Sequence, residues 1–341
     1  MKILITGGCG FVGSNIAIYL KKKLKRAKIY SLDNLTRKGS SYNKNRLKRE
    51  KIENFNINVE KYKKIKSLPR FDLIIDCCAE PAIEASKKEP DRVFNTNLIG
   101  TFNILKKCVK DKSNIIFLSS SRVYSLDKLR KFVKNLNIKK NLKINKKINE
   151  SFETEPVSSL YGFTKLSSEK LIKEIFYVNK LKYIINRFGV IAGPWQFGKQ
   201  DQGFVSLWVA KHYFKKKLSY IGFGGHGNQV RDVIHIKDVC EILLIQINKM
   251  NKINNYIFNI GGGVKNAISL RSLTKKCQEL TENKIYITKV KKTSMFDIPY
   301  YVSDNLKILK FYKWKPTIGI DLILSDIYKW LNKNKNLRNY F

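Results

Sequence analysis

The sequence predicts an α/β fold, a doubly wound parallel sheet with a smaller C-terminal region, on three observations. Apolar runs of strand length alternate with helix-length segments through the first 190 of 341 residues, the texture of a sheet covered by helices on both faces. The runs are apolar at nearly every position, as strands buried on both sides require. A glycine-rich turn, TGGCGFVGS at 6–14, follows the first run directly and opens a helical segment.

In chain order the expected strands are Lys2 to Thr6, Lys28 to Asp33, Phe55 to Val59, Phe71 to Cys78, Asn114 to Ser120 and Tyr183 to Arg187. Expected helices between them include Gly10 to Lys25 and Asp91 to Lys110. After about residue 188 the texture changes to glycine- and aromatic-rich loops, GVIAGPWQFGKQDQG and YIGFGGHGNQVRD, as a smaller covering region would show. The expected division is a sheet domain at 1–187 and a region at 188–341 that returns some chain to the sheet. The sheet domain would carry a Lys- and Asn-rich exposed insertion at about 126–150.

Lys and Arg number 67 against 27 Asp and Glu, a formal charge of +40. Dense positive charge favours nucleic acid or anionic membrane through counterion release. Here, however, lysines are spread along the whole chain, as in KKNLKINKKIN at 139–149, with no basic arm and no aromatic RNA-recognition run. The expectation is no nucleic acid and no membrane partner, with a field that attracts small anions. No run of about 18 apolar residues is present to span a bilayer. The first apolar run, Lys2 to Thr6, is too short for a secretory segment, so a soluble cytoplasmic protein is expected. Six cysteines without C-x-x-C spacing and three histidines without a zinc motif imply reduced thiols and no metal.

Glycines 7, 10 and 13 form G-x-x-G-x-x-G, a variant of the dinucleotide fingerprint. Glycine permits the tight turn and lets backbone approach a pyrophosphate, and the helix N-terminus supplies unpaired N–H groups to the phosphates. Phe11 and Val12 lie within that first turn. Asp33 ends the second strand, 20 residues after Gly13, where an acid accepts hydrogen bonds from the adenosine ribose; Asn34 follows it. A carboxylate there repels a 2′-phosphate, so NAD is expected over NADP, although Arg37 nearby blunts the choice. The sheet is therefore Rossmann-like.

The fifth strand ends in LSSSRVY, and the carboxyl ends of parallel strands are where such sheets place chemistry. Tyr161 and Lys165, in YGFTK at 161–165, stand four apart, one turn of a helix, so both rise from one face. A hydroxyl, a phenol and an ammonium behind a dinucleotide turn make a proton-transfer set. A phenol ordinarily titrates near 10, and a base for neutral pH needs about three units of help, roughly 4 kcal/mol. One cation about 4 Å away in an effective dielectric near 20 supplies about that much.

With these motifs the sequence resembles the extended short-chain dehydrogenase/reductase family of sugar-nucleotide epimerases and dehydratases. NTNLIGT at 95–101, RDVIHIKD at 231–238 and FNIGGG at 258–263 extend the resemblance over nearly the whole chain. The resemblance implies Tyr161 as base, Lys165 as its activator and ribose ligand, and, counting back three from Val123, Ser120 as the catalytic hydroxyl. It also implies that Cys78, Ala79 and Asn97 line the NAD site. Ser121, Arg187, Gln202 and Arg231 would meet the substrate, Arg231 at its pyrophosphate. The implied partners are a nucleotide sugar and a second copy of the chain.

DNLTRKGS, INRFGVIAGPWQFGKQDQG and GGHGNQVRDVIHIKDV are similar to 2-epimerases of CDP-sugars, which implies inversion at C2 through a 2-keto sugar. Alternatives are 4-epimerisation of a UDP-sugar, another nucleotide-sugar oxidoreductase, or a non-catalytic NAD-binding protein with nucleic-acid affinity. SSRVY lacks the Asp-Glu pair common in the dehydratases. Departures from the family pattern are Leu160 where proline usually stands, Ser294 where an arginine often helps bind diphosphate, and the run Cys77, Cys78 and Glu80. Asp297 is kept.

Overall fold

The computed structural model describes residues 1–81, 85–134, 146–157, 159–199 and 202–341. Its chain forms two compact units, one of residues 1–123, 159–187 and 239–258, the other of residues 124–158, 188–238 and 259–341.

In the first unit Ile3, Leu4 and Ile5 have no solvent exposure, so this strand has apolar partners on both faces. It is an interior strand of a seven-stranded sheet. Labelled in chain order, β1 is Lys2–Thr6, β2 Lys28–Leu32, β3 Glu53–Phe55, β4 Leu73–Asp76, β5 Asn114–Ser120 and β6 Tyr183–Phe188. The spatial order is Tyr256–Ile260, β6, β5, β4, β1, β2, β3, and the pairs β1–β2, β1–β4, β2–β3 and β4–β5 are parallel. The order reverses between β1 and β4, the switch point at which open α/β sheets bind ligands.

The third strand departs from expectation. It ends at Phe55, where Ile57 turns back to donate to the Phe55 carbonyl at 2.9 Å. Val59, read as strand, is instead buried against Gly100, whose absent Cβ would lie 2.6 Å from its methyl. The expected helix Asp91 to Lys110 forms as Pro90–Phe94, a wide turn at Asn95–Ile99, and Gly100–Asp111. A π-helical turn of this kind is found often at functional sites, and it carries the buried Asn97.

In the second unit Val230–His235 pairs with Ala267–Ser269, Tyr300–Tyr301 and Val190–Ala192, and Leu218–Ile221 pairs in parallel with Ile287–Val290. The stretch 126–150, expected as an exposed insertion, is only partly so. Leu126–Lys134 is a helix whose Leu126 and Leu129 are buried, because apolar residues three apart share one face. Ile148 is buried as well, and 135–145 lie outside the described residues. By packing, residues 124–158 group with the second unit and 239–258 with the first. Among the described residues no helix is long and apolar enough to cross a membrane.

Candidate active site

The glycine turn has steric reasons for its composition. Gly7 has φ +60°, and a Cβ there would stand 3.0 Å from the Cys77 carbonyl oxygen; a Cβ on Gly13 would stand 2.3 Å from the Gly7 carbonyl oxygen. The turn closes with the Gly10 N–H donating to that same carbonyl at 2.9 Å. The helix Phe11–Lys23 then begins with no side-chain cap, so its first N–H groups are left for an anion.

Asp33 holds the loop beside this turn. Its carboxylate accepts from the Cys9 N–H at 3.0 Å and the Leu35 N–H at 2.8 Å. Burial raises its pKa, and the hydrogen bonds of Leu35, Cys9 and Gly10 together with the Arg37 charge oppose that rise. Asn34 is exposed, and its side chain accepts from the Thr36 hydroxyl at 2.9 Å.

At the end of β4 sits a residue that sequence reasoning passed over. Asp76 is buried and accepts from the Thr6 hydroxyl, from the Thr101 hydroxyl at 3.3 Å and from the Cys78 N–H at 3.3 Å. The signal for it was an acid closing an apolar run. Burial, then Asp76, raises the Cys77 and Cys78 thiols, so neither is a thiolate at neutral pH. Cys78 and Ala79 are half-buried beside the turn. Asn97 holds the next residue by both backbone groups, accepting from the Glu80 N–H at 2.7 Å and donating to its carbonyl at 3.2 Å.

Tyr161 stands in the first turn of the helix Leu160–Val178, whose N-cap Ser159 accepts from the Gly162 N–H at 3.1 Å. Leu160 fills the first helical position, where proline is favoured only for its fixed φ. One turn on, Lys165 is buried; its ammonium donates to the Leu118 carbonyl at 2.8 Å and lies 4.5 Å from the Phe117 ring centroid. That bond ties the helix to the end of β5, two residues before Ser120.

Strand alternation then separates the two serines. Ser119 is buried and donates to Glu169 Oε1 at 2.5 Å, whereas Ser120 is half-buried and its oxygen accepts from the Arg122 N–H at 3.2 Å. The Ser120 proton is left to donate. Ser121 follows in a short 3₁₀ turn.

Arg187, expected at the substrate, is buried on β6 with Nη2 2.6 Å from Glu169 Oε2. A charge at that depth needs a partner, and Glu169 is the one sequence reasoning missed. In the second unit Arg231 donates to the Val230 carbonyl at 2.8 Å, to Asp297 at 3.3 Å and to the Ile298 carbonyl. These hold its guanidinium with the side chain 12% exposed. Gln202 pairs its backbone with Lys199, at 2.7 and 3.2 Å.

A family model described as the NAD dependent epimerase/dehydratase family matches residues 3–261. The chain belongs to that family. It is similar to CDP-paratose 2-epimerase of Salmonella typhi, 27% identical over 97% of this chain and 99% of that protein. Among solved structures it is similar to UDP-glucose 4-epimerase of Thermotoga maritima with UDP-glucose, at 25% identity and TM-score 0.82, covering 98% of this chain and 100% of the other. It shares the fold of UDP-glucuronic acid 4-epimerase of Bacillus cereus in complex with UDP-glucuronic acid and NAD, at 21% identity and TM-score 0.82, covering 98% and 100%.

The chain is thus an NAD-dependent enzyme of the epimerase type, an isomerase. The residues of this epimerase fit NAD: the Gly7 and Gly13 cradle that a Cβ would fill, the uncapped helix start and the Asp33 carboxylate beside the turn. Among its described residues no group of three or more His, Cys, Asp or Glu stands together to hold a metal.

Proposed function

We propose that the enzyme inverts C2 of a CDP-linked dideoxyhexose, taking CDP-paratose to CDP-tyvelose. The observation that carries a proton-coupled redox reaction is Lys165, bound to the strand that ends in Ser120 and one helical turn from Tyr161. The CDP-sugar rests on the full-length likeness to CDP-paratose 2-epimerase.

The glycine turn and Asp33 would hold NAD, which would supply reversible oxidation of the sugar carbon. Tyr161 takes the C2 hydroxyl proton and later returns it. Lys165 stabilises the phenolate that forms, and Ser120 donates to the same substrate oxygen. Arg231 offers a preset guanidinium for the diphosphate, with Ser121 and Gln202 as further substrate contacts. Arg187 serves this site through Glu169. The 2-keto sugar turns over while its nucleotide anchor stays bound, so that C2 would be reduced on its opposite face while its oxygen takes the proton back from Tyr161.

A second reading, 4-epimerisation of a UDP-sugar, is favoured by the full-length likeness to the Thermotoga maritima enzyme. The same reading places the enzyme in the cytoplasm, its six thiols free, and in a homo-oligomer. Exposed Phe94 and Phe102, on the two helices that flank the wide turn, and Phe163 and Tyr177 on the helix Leu160–Val178 offer apolar surface for that contact; a monomeric mass by light scattering would count against it.

The deciding experiment incubates the enzyme with CDP-, UDP- and dTDP-sugars in deuterated water, followed by proton NMR. Inversion at C2 without deuterium at that carbon is expected for the CDP-sugar. Inversion at C4 of a UDP-sugar selects the second reading, and deuterium at the inverted carbon defeats both. Tyr161→Phe should abolish turnover while NAD stays bound.

A further inference from the structure

Glu80 leaves the end of β4 with its carboxylate between two guanidinium groups. It is 6% exposed; Arg37 Nη1 lies 3.3 Å from Oε1, and Arg92 donates to Oε2. The Glu80 backbone cannot drift, because Asn97 holds both its N–H and its carbonyl, at 2.7 and 3.2 Å. Asn97 is fixed in turn by donating to Thr164 at 3.2 Å. In this pair the anchored member is Glu80, and the half-buried Arg37 on its loop is the one drawn in.

Arg37 follows Asp33 by four residues, and its charge acts on the Asp33 carboxyl. An arginine beside the ribose acid is what dinucleotide sites use to accept a 2′-phosphate. One loop here carries both the acid that rejects that phosphate and the guanidinium that would attract it. We propose that Glu80 is a cofactor-specificity residue: by holding Arg37 it withholds the guanidinium from a 2′-phosphate, so that Asp33 decides for NAD.

The charges agree. Arg92 is also held by Glu89, 2.6 Å from its Nη1, so Glu80→Gln releases the Arg37 guanidinium from Glu80 toward a phosphate of roughly −1.5 to −2. Such a gain requires Arg37.

The test is displacement of bound NAD by NADP from the full-length protein, read as the dinucleotide retained after gel filtration. Glu80→Gln should lower the NADP concentration needed at least tenfold, and the double variant Arg37→Ala/Glu80→Gln should lose that gain. Asp33→Asn provides a second background without the repelling acid, in which adding Glu80→Gln should again help NADP tenfold. A Glu80→Gln protein within twofold of its parent in both backgrounds, or a gain that survives without Arg37, overturns the proposal. Should Glu80→Gln fail to fold, Arg37→Ala alone decides. An NADP requirement unchanged within twofold supports a guanidinium already withheld, and a rise above twofold overturns it.

Discussion

The Arg187 guanidinium lies along the Glu169 carboxylate, with Nε 3.0 and 3.2 Å from its two oxygens and Nη2 2.6 Å from Oε2. Both side chains are buried, and Ser119 donates to the same carboxylate from β5. Removing one partner of such a pair strands the other charge, which costs about 3–5 kcal/mol. Glu169→Ala should therefore lower stability by that amount in denaturant unfolding, and Glu169→Gln by less, since it keeps the shape. Ser119→Ala, which leaves the ion pair intact, should cost about 1 kcal/mol. A Glu169→Ala protein as stable as wild type would remove the pair from the account of the fold.

How much of this was legible depended on the range of the interaction. β1 and β5 could be read to the residue, because a strand buried on both faces is apolar throughout. The same rule misread Phe55 to Val59, since Val59 is buried under Gly100 and not by sheet neighbours. Tyr161 and Lys165 showed as a pair because helical spacing is local. Glu169 also lies one turn beyond Lys165, yet its meaning depends on Arg187, on another element 18 residues away. Nothing local marks either as buried and paired. Glu80 with Arg37, 43 residues apart, escaped notice for the same reason.

Gly13 gives a sharp steric prediction. Exposed glycines inside helices are usually improved by alanine, by up to about 1 kcal/mol. At Gly13 the new Cβ would meet the Gly7 carbonyl oxygen at 2.3 Å, and backbone cannot swing aside as a side chain does. Gly13→Ala should destabilise by about 1–3 kcal/mol through overpacking and release NAD as the turn opens. Unfolding and the NAD content of purified protein check both. Full NAD content in the variant would contradict the cradle.

Affinity for NAD should fall with pH earlier than an ordinary aspartate would allow. In the proposed site only an ionised Asp33 would accept from both ribose hydroxyls, and burial holds its pKa above the usual 3.8. Protonation therefore removes the acceptor as pH falls, and affinity is full above that transition and lost below it. Calorimetric titration from neutral pH downward should show the loss, and Asp33→Asn should bind weakly with a flat profile. A parallel decline in Asp33→Asn would assign the effect elsewhere.

Two histidines set the acid limit of stability. Desolvation lowers the pKa of His212 and His235 below the usual 6.5, and both are buried. The unfolded chain takes the proton first, so their contribution is present above pH 6.5 and lost as pH falls through the lower folded values. Melting temperature should decline over that window, and His212→Gln or His235→Gln should flatten the slope. A slope unchanged in the double variant would place the acid sensitivity in the carboxylates.

The start of the helix Leu160–Val178 links stability to chemistry most directly. Ser159 caps it by accepting from the Gly162 N–H at 3.1 Å, and Tyr161 stands within the turn so closed. Ser159→Ala removes the acceptor and should cost about 1 kcal/mol. The turn that frays is the one carrying the proposed base, so turnover should fall several-fold while NAD, held by the glycine turn, stays bound. Ser159→Asp restores both an acceptor and a negative charge at the positive helix end, and should recover stability and turnover together. If Ser159→Ala melts earlier but turns over at the wild-type rate, the first turn is not what positions Tyr161.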